Sequence, residues 1–153
     1  MGMDGGRHIE RGRLRLLLAT SSVAALLVGG GAPAAYAACS TSSTNSGNIT
    51  CINIQNTSVA GDVINNSSGI ITAIGATAPT RTGITINNST IGGAIINAGQ
   101  ITTQATSNNN GILVTSNAAV SGGITNSGTI NAGGNAIAIG GVATVTGASI
   151  RIS

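Results

Sequence analysis

The chain of 153 residues carries a formal net charge of +3, and only 6% of its residues are charged. Aromatic residues make up 1%, with neither Phe nor Trp present, which excludes a core built on aromatic side chains and leaves Ile, Val, Leu and Ala to form it. The rest of the chain lacks the basic patch that nucleic-acid binding requires, because four of the six arginines lie near its start: Arg7, Arg11, Arg13 and Arg15.

The first predicted element is a secretory signal over residues 1–37. Its order is typical of such signals: an arginine-rich start, an apolar run from Leu16 to Val28, and a tail of small residues. We expect a short signal helix and cleavage after Ala37, with cleavage after Ala38 as the alternative. The apolar run covers about 13 residues, fewer than the roughly 20 that a permanent membrane-spanning helix needs. No stable membrane span is therefore expected after cleavage, and an uncleaved anchor is the competing interpretation.

Cys39 and Cys51 follow the signal and are the two cysteines of the chain. An even number of cysteines in a chain sent to an oxidising compartment predicts a disulfide. Closing a loop of about 12 residues contributes roughly 3 kcal/mol in the chain-entropy model, which is useful at the first end of a stack of repeats. The alternative is a lipid on Cys39, but such cysteines usually have an aliphatic residue three positions earlier, where this chain has Tyr36.

Residues 38–153 contain an internal repeat. Measured between Ile52, Ile84, Ile112 and Ile137, successive copies are 32, 28 and 25 residues apart. Alternation with a period of two, β-branched residues and turns rich in Asn and Gly favour strands over helices. Four segments align as the first strand of each copy: Cys51-Ile52-Asn53-Ile54, Gly83-Ile84-Thr85-Ile86, Gly111-Ile112-Leu113-Val114 and Ala136-Ile137-Ala138-Ile139.

Each copy predicts one coil of roughly three short strands, so the expected fold is all-β, a parallel β-helix or β-solenoid of about four coils. Stacking places equivalent strands about 4.8 Å apart and aligns their inward side chains. Thr85 and Leu113 alternate with the inward positions and are expected to face outward, so that Thr85→Asp is tolerated. The inward side chains predict a core column of Ile52, Ile84, Ile112 and Ile137. Recurrent asparagines predict a ladder of stacked side-chain amides at Asn65, Asn97 and Asn126.

The chain beyond residue 37 has little of the chemistry that catalysis needs. It lacks His, Lys and Glu, and its ionisable side chains besides the cysteines are Asp62, Arg81 and Arg151. A single carboxylate cannot form the acid and base pair of a glycosidase, and a Ser-His-Asp triad needs a histidine. Two cysteines without histidine do not form a zinc centre. We therefore predict a non-enzymatic protein with no catalytic, cofactor-binding or metal site, in which Asp62 and Arg81 are solvated turn residues.

The motif I-x-N-x-G-x-I recurs at residues 95–101 and 124–130. Together with the early cysteine pair, this cadence resembles the passenger region of bacterial autotransporter proteins over residues 38–153. The resemblance implies a right-handed parallel β-helix on the bacterial surface. It also implies a C-terminal outer-membrane barrel, which this sequence does not contain. The chain is therefore expected to be the N-terminal piece of a longer passenger, the product of a truncated gene, or a remnant that stands alone.

These features predict an exported protein located on the bacterial cell surface, outside the cell or in the periplasm. Its partners would be the export machinery and an unknown surface or host ligand, and its function would be adhesin-like. The alternative is a structural or amyloid-like matrix protein, because uncharged strands with open edges can associate through the ends of the solenoid. Ice binding is a weaker alternative, because Thr-x-Thr pairs do not recur in register.

Overall fold

The structure, a computed structural model, describes residues 38–75, 77–147 and 150–153. The predicted signal over residues 1–37 lies outside these ranges. All regular secondary structure within them is β-strand, in seventeen short segments. The strands are β1 (Thr44–Asn45), β2 (Asn48–Ile49), β3 (Ile52–Gln55), β4 (Ser58–Val59), β5 (Val63–Asn65), β6 (Ile70–Ala73), β7 (Ile84–Asn87), β8 (Thr90–Ile91), β9 (Ile95–Asn97), β10 (Gln100–Thr103), β11 (Ile112–Thr115), β12 (Ala119–Val120), β13 (Ile124–Asn126), β14 (Thr129–Asn131), β15 (Ile137–Ile139), β16 (Thr144–Val145) and β17 (Arg151–Ile152).

The strands form four parallel sheets, and each strand belongs to a different sheet from the strand before it. The first sheet contains β1, β5, β9, β13 and β17, and the second contains β2, β6, β10 and β14. The third contains β3, β7, β11 and β15, and the fourth contains β4, β8, β12 and β16. The chain thus passes from sheet to sheet in a fixed order and returns to each one a layer higher. This topology confirms the predicted all-β parallel solenoid.

A coil has four strands rather than the three that the sequence predicted. The structure divides the segment from Val59 to Asn65 into two strands, β4 and β5. The chain turns between them at residues 60–62, where Gly61 lies. The missed corner adds the fourth sheet, whose strands are only two residues long and so give no alternation in the sequence.

The loose period of the repeat comes from one corner of the coil. From the third sheet to the second, equivalent isoleucines are 19, 17 and 18 residues apart: Ile52 to Ile71, Ile84 to Ile101, and Ile112 to Ile130. From the second sheet to the third, the spacing in successive coils is 3, 13, 11 and 7 residues: Ile49 to Ile52, Ile71 to Ile84, Ile101 to Ile112, and Ile130 to Ile137. The coil is therefore a constant frame with insertions at this variable corner.

The four isoleucines of the expected core column are paired in register, Ile52 with Ile84, Ile84 with Ile112 and Ile112 with Ile137. The first three are fully buried, and Ile137 is only partly buried because it lies in the last complete coil. They pack with the other inward aliphatic side chains of the solenoid: Ile54, Val63, Ile71, Ile86, Ile91, Ile95, Ile101, Val114, Val120 and Ile124. The core is a continuous aliphatic column, as its composition requires.

Thr85 departs from the sequence expectation. It alternates with the buried Ile84 and Ile86 and so lies on the outer face of the third sheet, yet it is only 7% exposed. The insertion at the variable corner brings Ala78 and Pro79 close to this outer face. Thr85 thus faces outward as predicted, but it is not exposed to solvent, so its position does not support the expectation that Thr85→Asp is tolerated.

Candidate functional site

The disulfide lies at the first coil of the solenoid. It joins Cys39 to Cys51, with Cα atoms 4.6 Å apart, so the predicted pairing is confirmed. Cys51 is fully buried. The disulfide holds Ser40 against the free edge of β3. There the Ser40 amide donates to the Cys51 carbonyl at 2.8 Å, and the Ser40 carbonyl accepts from the Asn53 amide at 2.8 Å. The cysteine pair therefore closes part of the first edge of the third sheet.

An asparagine ladder runs through the interior beside the aliphatic column. The Asn65 Nδ2 donates to Asn97 Oδ1 at 2.7 Å, and the Asn97 Nδ2 donates to Asn126 Oδ1 at 2.6 Å. The sequence predicted these three residues but missed Asn45, whose Nδ2 donates to Asn65 Oδ1 at 2.8 Å. Asn45 does not fit the spacing of the later copies because the first coil is short, so that Asn45 precedes Asn65 by only 20 positions. The ladder ends at Asn126, since the partner of Asn126 in the next layer is Ile152.

A second stack of asparagines lies at the turn between the third and fourth sheets. Asn56 and Asn88 both have positive φ, at 53° and 46°, and the Asn88 Nδ2 donates to Asn56 Oδ1 at 2.9 Å. Asn tolerates this left-handed conformation better than most residues. These side chains are exposed and line a shallow groove of about 310 Å³ that is open to solvent. The signal in the sequence was the asparagine that follows both β3 and β7.

The ionisable side chains lie in separate parts of the described chain. Asp62 is an exposed residue of the turn between β4 and β5, as expected, and its Oδ1 accepts from the Ala94 amide of the next layer at 2.7 Å. Arg81, also expected to be solvated, is half-buried in the variable corner, and Arg151 is exposed in β17. Within residues 38–75, 77–147 and 150–153, no three His, Cys, Asp or Glu side chains come together as a set of metal ligands. The described part also contains no helix of the length and apolar character needed to cross a membrane.

The variable corner of the second coil builds a more enclosed site. Residues 77–82, here called the corner loop, are held by the Gly75 amide, which donates to the Thr80 carbonyl at 3.1 Å, and by the Thr82 amide, which donates to the Pro79 carbonyl at 3.0 Å. Between this loop and the outer face of the third sheet lies the corner groove, of about 270 Å³. Its lining is uncharged: Asn53, Gln55, Ala78, Pro79, Thr82, Thr85, Asn87 and Leu113.

Thr85 is the unusual member of the corner groove. Its Oγ1 is buried and has no hydrogen-bond partner among the described residues. A buried hydroxyl left without a partner costs about 1 to 3 kcal/mol. The residues that flank it in register, Asn53 and Leu113, do not relieve this cost. The fold itself makes no use of the hydroxyl.

The C-terminal end of the described solenoid exposes apolar side chains. Val142 and Ile152 are each 71% exposed, and Ile139 and Ile150 are also exposed. Beneath them, Ile130 and Val145 pack on the core but are only partly buried. The last strands of the four sheets have no further strand above them within the described residues, so their edges offer free backbone donors and acceptors.

Comparison of the chain with protein-family models, with curated proteins and with solved structures gave no significant match. The geometry therefore defines the class by itself. The described chain is a parallel β-solenoid with a disulfide at its first coil and an asparagine ladder in its core.

Proposed function

We propose that the chain is an exported, non-enzymatic surface protein, an adhesin-like passenger region of the kind that autotransporter proteins carry. The observation that supports this most is the pairing of Cys39 with Cys51 at the start of a solenoid whose first coil directly follows the proposed signal. A disulfide persists in oxidising compartments and is rare in reducing ones. Export would thus supply the conditions under which the first coil is closed.

The non-enzymatic part of the proposal rests on where the charged groups lie. Asp62 is committed to a backbone amide in the turn after β4, and Arg81 and Arg151 lie in other coils or corners. General acid and base catalysis needs proton carriers positioned on one substrate, and this arrangement offers a single carboxylate. The surface instead presents threonine, asparagine and serine on a rigid frame, which suits binding through many neutral contacts.

The export step can be tested in a bacterial host with the full chain carrying a C-terminal epitope tag. We expect the product outside the cytoplasm to begin at Ala38 or Cys39, because the tail of the signal has the small residues that signal peptidase reads. Ala37→Arg is the matched variant, and it should accumulate uncleaved precursor. A cytoplasmic product, or an exported one that retains Met1, would contradict the proposal.

Adhesion is tested separately, since a protein can be exported without binding anything. Beads coated with the purified, oxidised protein should adhere to host cells or to polysaccharide-coated surfaces more than beads coated with its reduced and unfolded form. Equal adherence of the two preparations would remove the adhesin-like part and leave export intact.

A structural, self-assembling protein is the second candidate, and the exposed C-terminal end favours it. Val142 and Ile152 together with the free strand edges resemble the surface on which another coil would stack. In that case the mass measured by light scattering should rise with protein concentration, and Val142→Lys should lower it. A concentration-independent monomer that forms no dye-binding fibres would exclude this candidate.

A further inference from the structure

We propose that the corner groove binds a short neutral saccharide. The inference rests on the adhesin-like part of the proposed function and deepens it by naming the class of ligand. It does not rest on export, because the purified protein can bind a saccharide whether or not the chain is exported. Three features of the groove carry it: the buried hydroxyl of Thr85, the uncharged lining, and the pairing of β7, at the centre of the groove floor, with a strand on each side.

The hydroxyl of Thr85 is the first feature. Its Oγ1 has no partner among the described residues, although the side chain is only 7% exposed. Valine has nearly the same shape and would fill this position without an unsatisfied group. A buried polar group that the fold does not use is explained when a ligand uses it. Since the oxygen is covered from solvent, a ligand reaches it by settling between the corner loop and the sheet, which requires Ala78 and Pro79 to give way.

The chemistry of the lining is the second feature. Asn53, Gln55 and Asn87 present side-chain amides, which both donate and accept hydrogen bonds, while Pro79 and Leu113 present apolar surface. A sugar ring has the same division, with hydroxyls around its rim and C–H groups on its faces. No ionisable side chain lines the groove, so nothing in it compensates a charged ligand. The volume of about 270 Å³ lies at the small end of ligand pockets, which suits a few sugar units at most.

The pairing of the strands is the third feature, and it favours a saccharide over an extended peptide as the ligand. An extended peptide usually binds a sheet by pairing with a free strand edge. At the centre of the groove floor, β7 is already paired with β3 on one side and β11 on the other. At this central strand, where Thr85 lies, recognition must therefore come from side chains, and this is how the hydroxyls of a sugar are bound.

The test uses the purified full chain with its disulfide formed. A panel of neutral oligosaccharides is screened first, with oligosaccharides that end in sialic or uronic acid and uncharged Ser/Asn/Gly peptides as the other arms. The best neutral saccharide is then titrated by calorimetry against the wild type, Thr85→Val, Asn53→Ala and a control, Thr129→Val, on an exposed position of β14. We expect Thr85→Val to weaken binding about tenfold, as loss of one hydrogen bond predicts, and to raise the melting temperature by a few degrees.

Weaker binding together with a higher melting temperature in Thr85→Val distinguishes a binding role of this residue from a structural one. Asn53→Ala should also weaken binding by about three- to tenfold, and Thr129→Val should leave it unchanged. The proposal is overturned if the folded wild type binds no neutral saccharide at about 10 mM, if it binds only the acidic saccharides or the peptides, or if Thr85→Val and Asn53→Ala both bind as the wild type does. None of these outcomes depends on whether the chain is exported.

Discussion

The asparagine ladder makes the most direct prediction about what stabilises the solenoid, and Asn97 is its central member. Asn97 is fully buried, and it links the coil below to the coil above by accepting from Asn65 and donating to Asn126. Replacing it with alanine removes both bonds and leaves partners behind in the core. Asn65 Nδ2 keeps only longer contacts, at 3.4 Å to the Gly69 carbonyl and 3.3 Å to the Gln100 carbonyl.

The expected loss follows from these contacts. Two buried hydrogen bonds each contribute about 1 kcal/mol net, and the stranded Oδ1 of Asn126 adds a desolvation penalty of about 1 to 3 kcal/mol. The free energy of unfolding should thus fall by about 3 to 5 kcal/mol in Asn97→Ala, which is a large part of the stability of a small domain. Asn108→Ala, at an exposed position in the variable corner, is the control and should change it by less than about 0.5 kcal/mol.

Urea unfolding followed by far-ultraviolet circular dichroism measures this difference, since the chain has no Trp to report by fluorescence. A double-mutant cycle of Asn65→Ala and Asn97→Ala adds a second check. The two residues share a bond, so the double variant should lose about 1 to 3 kcal/mol less than the two single losses together. Similar losses in Asn97→Ala and Asn108→Ala, or strictly additive losses in the cycle, would refute the ladder as a source of stability.

Further predictions concern the first coil and the two faces of the third sheet. Reduction of the Cys39–Cys51 disulfide should lower the free energy of unfolding by roughly 3 kcal/mol, and a thiol probe should label the protein only after reduction. Ile112→Asp should cost more than about 4 kcal/mol because it buries an unpaired carboxylate, whereas Thr129→Asp, at an exposed position, should be nearly silent by the same urea assay. Thr85→Asp should lose protease resistance as Ile112→Asp does, because Thr85 is also buried. If Thr85→Asp were instead as resistant to protease as Thr129→Asp, the corner loop would not cover this position.

The sequence was sufficient to predict the parts of the fold that repeat. Isoleucine at every second position identified the inward face, and three aligned copies placed Ile52, Ile84 and Ile112 in one column. Asn97 and Asn126 could be assigned to a ladder because each lies two residues after an inward isoleucine of the first sheet. Such inferences succeed because a stacked coil forces the same side chain into the same environment in every layer.

The features that do not repeat could not be predicted in this way. The corner loop belongs to one coil, and Thr85 is buried because Ala78 and Pro79 approach a face on which its register partners Asn53 and Leu113 are only half-buried. The two-residue strands of the fourth sheet are too short to show a period. The corner groove could not be predicted either, because it combines an insertion with side chains of neighbouring coils that lie far apart in the sequence.

A glycine column tests the contact between coils more sharply than any side chain does. Gly47, Gly69, Gly99 and Gly128 take the same place in successive coils, one residue before each strand of the second sheet. None of them has a positive φ, so none is required by the backbone conformation of its own turn. A Cβ at Gly99 would nonetheless overlap the carbonyl oxygens of Gly69 and Asn66 in the coil below, while a Cβ at Gly47 would meet nothing within 4 Å.

Gly99→Ala and Gly47→Ala are therefore the same substitution at the same point of the coil, but only Gly99 has a coil beneath it. Gly99→Ala should lower the free energy of unfolding by about 3 kcal/mol or more, because the overlapping atoms belong to the backbone and cannot rotate away. Gly47→Ala should be neutral or raise it by about 0.4 to 1 kcal/mol, since alanine restricts the unfolded chain. Both are measured in the same urea titration. If the two variants lost equal stability, the glycines would be serving their own turns, and the close stacking of coils at this position would have to be abandoned.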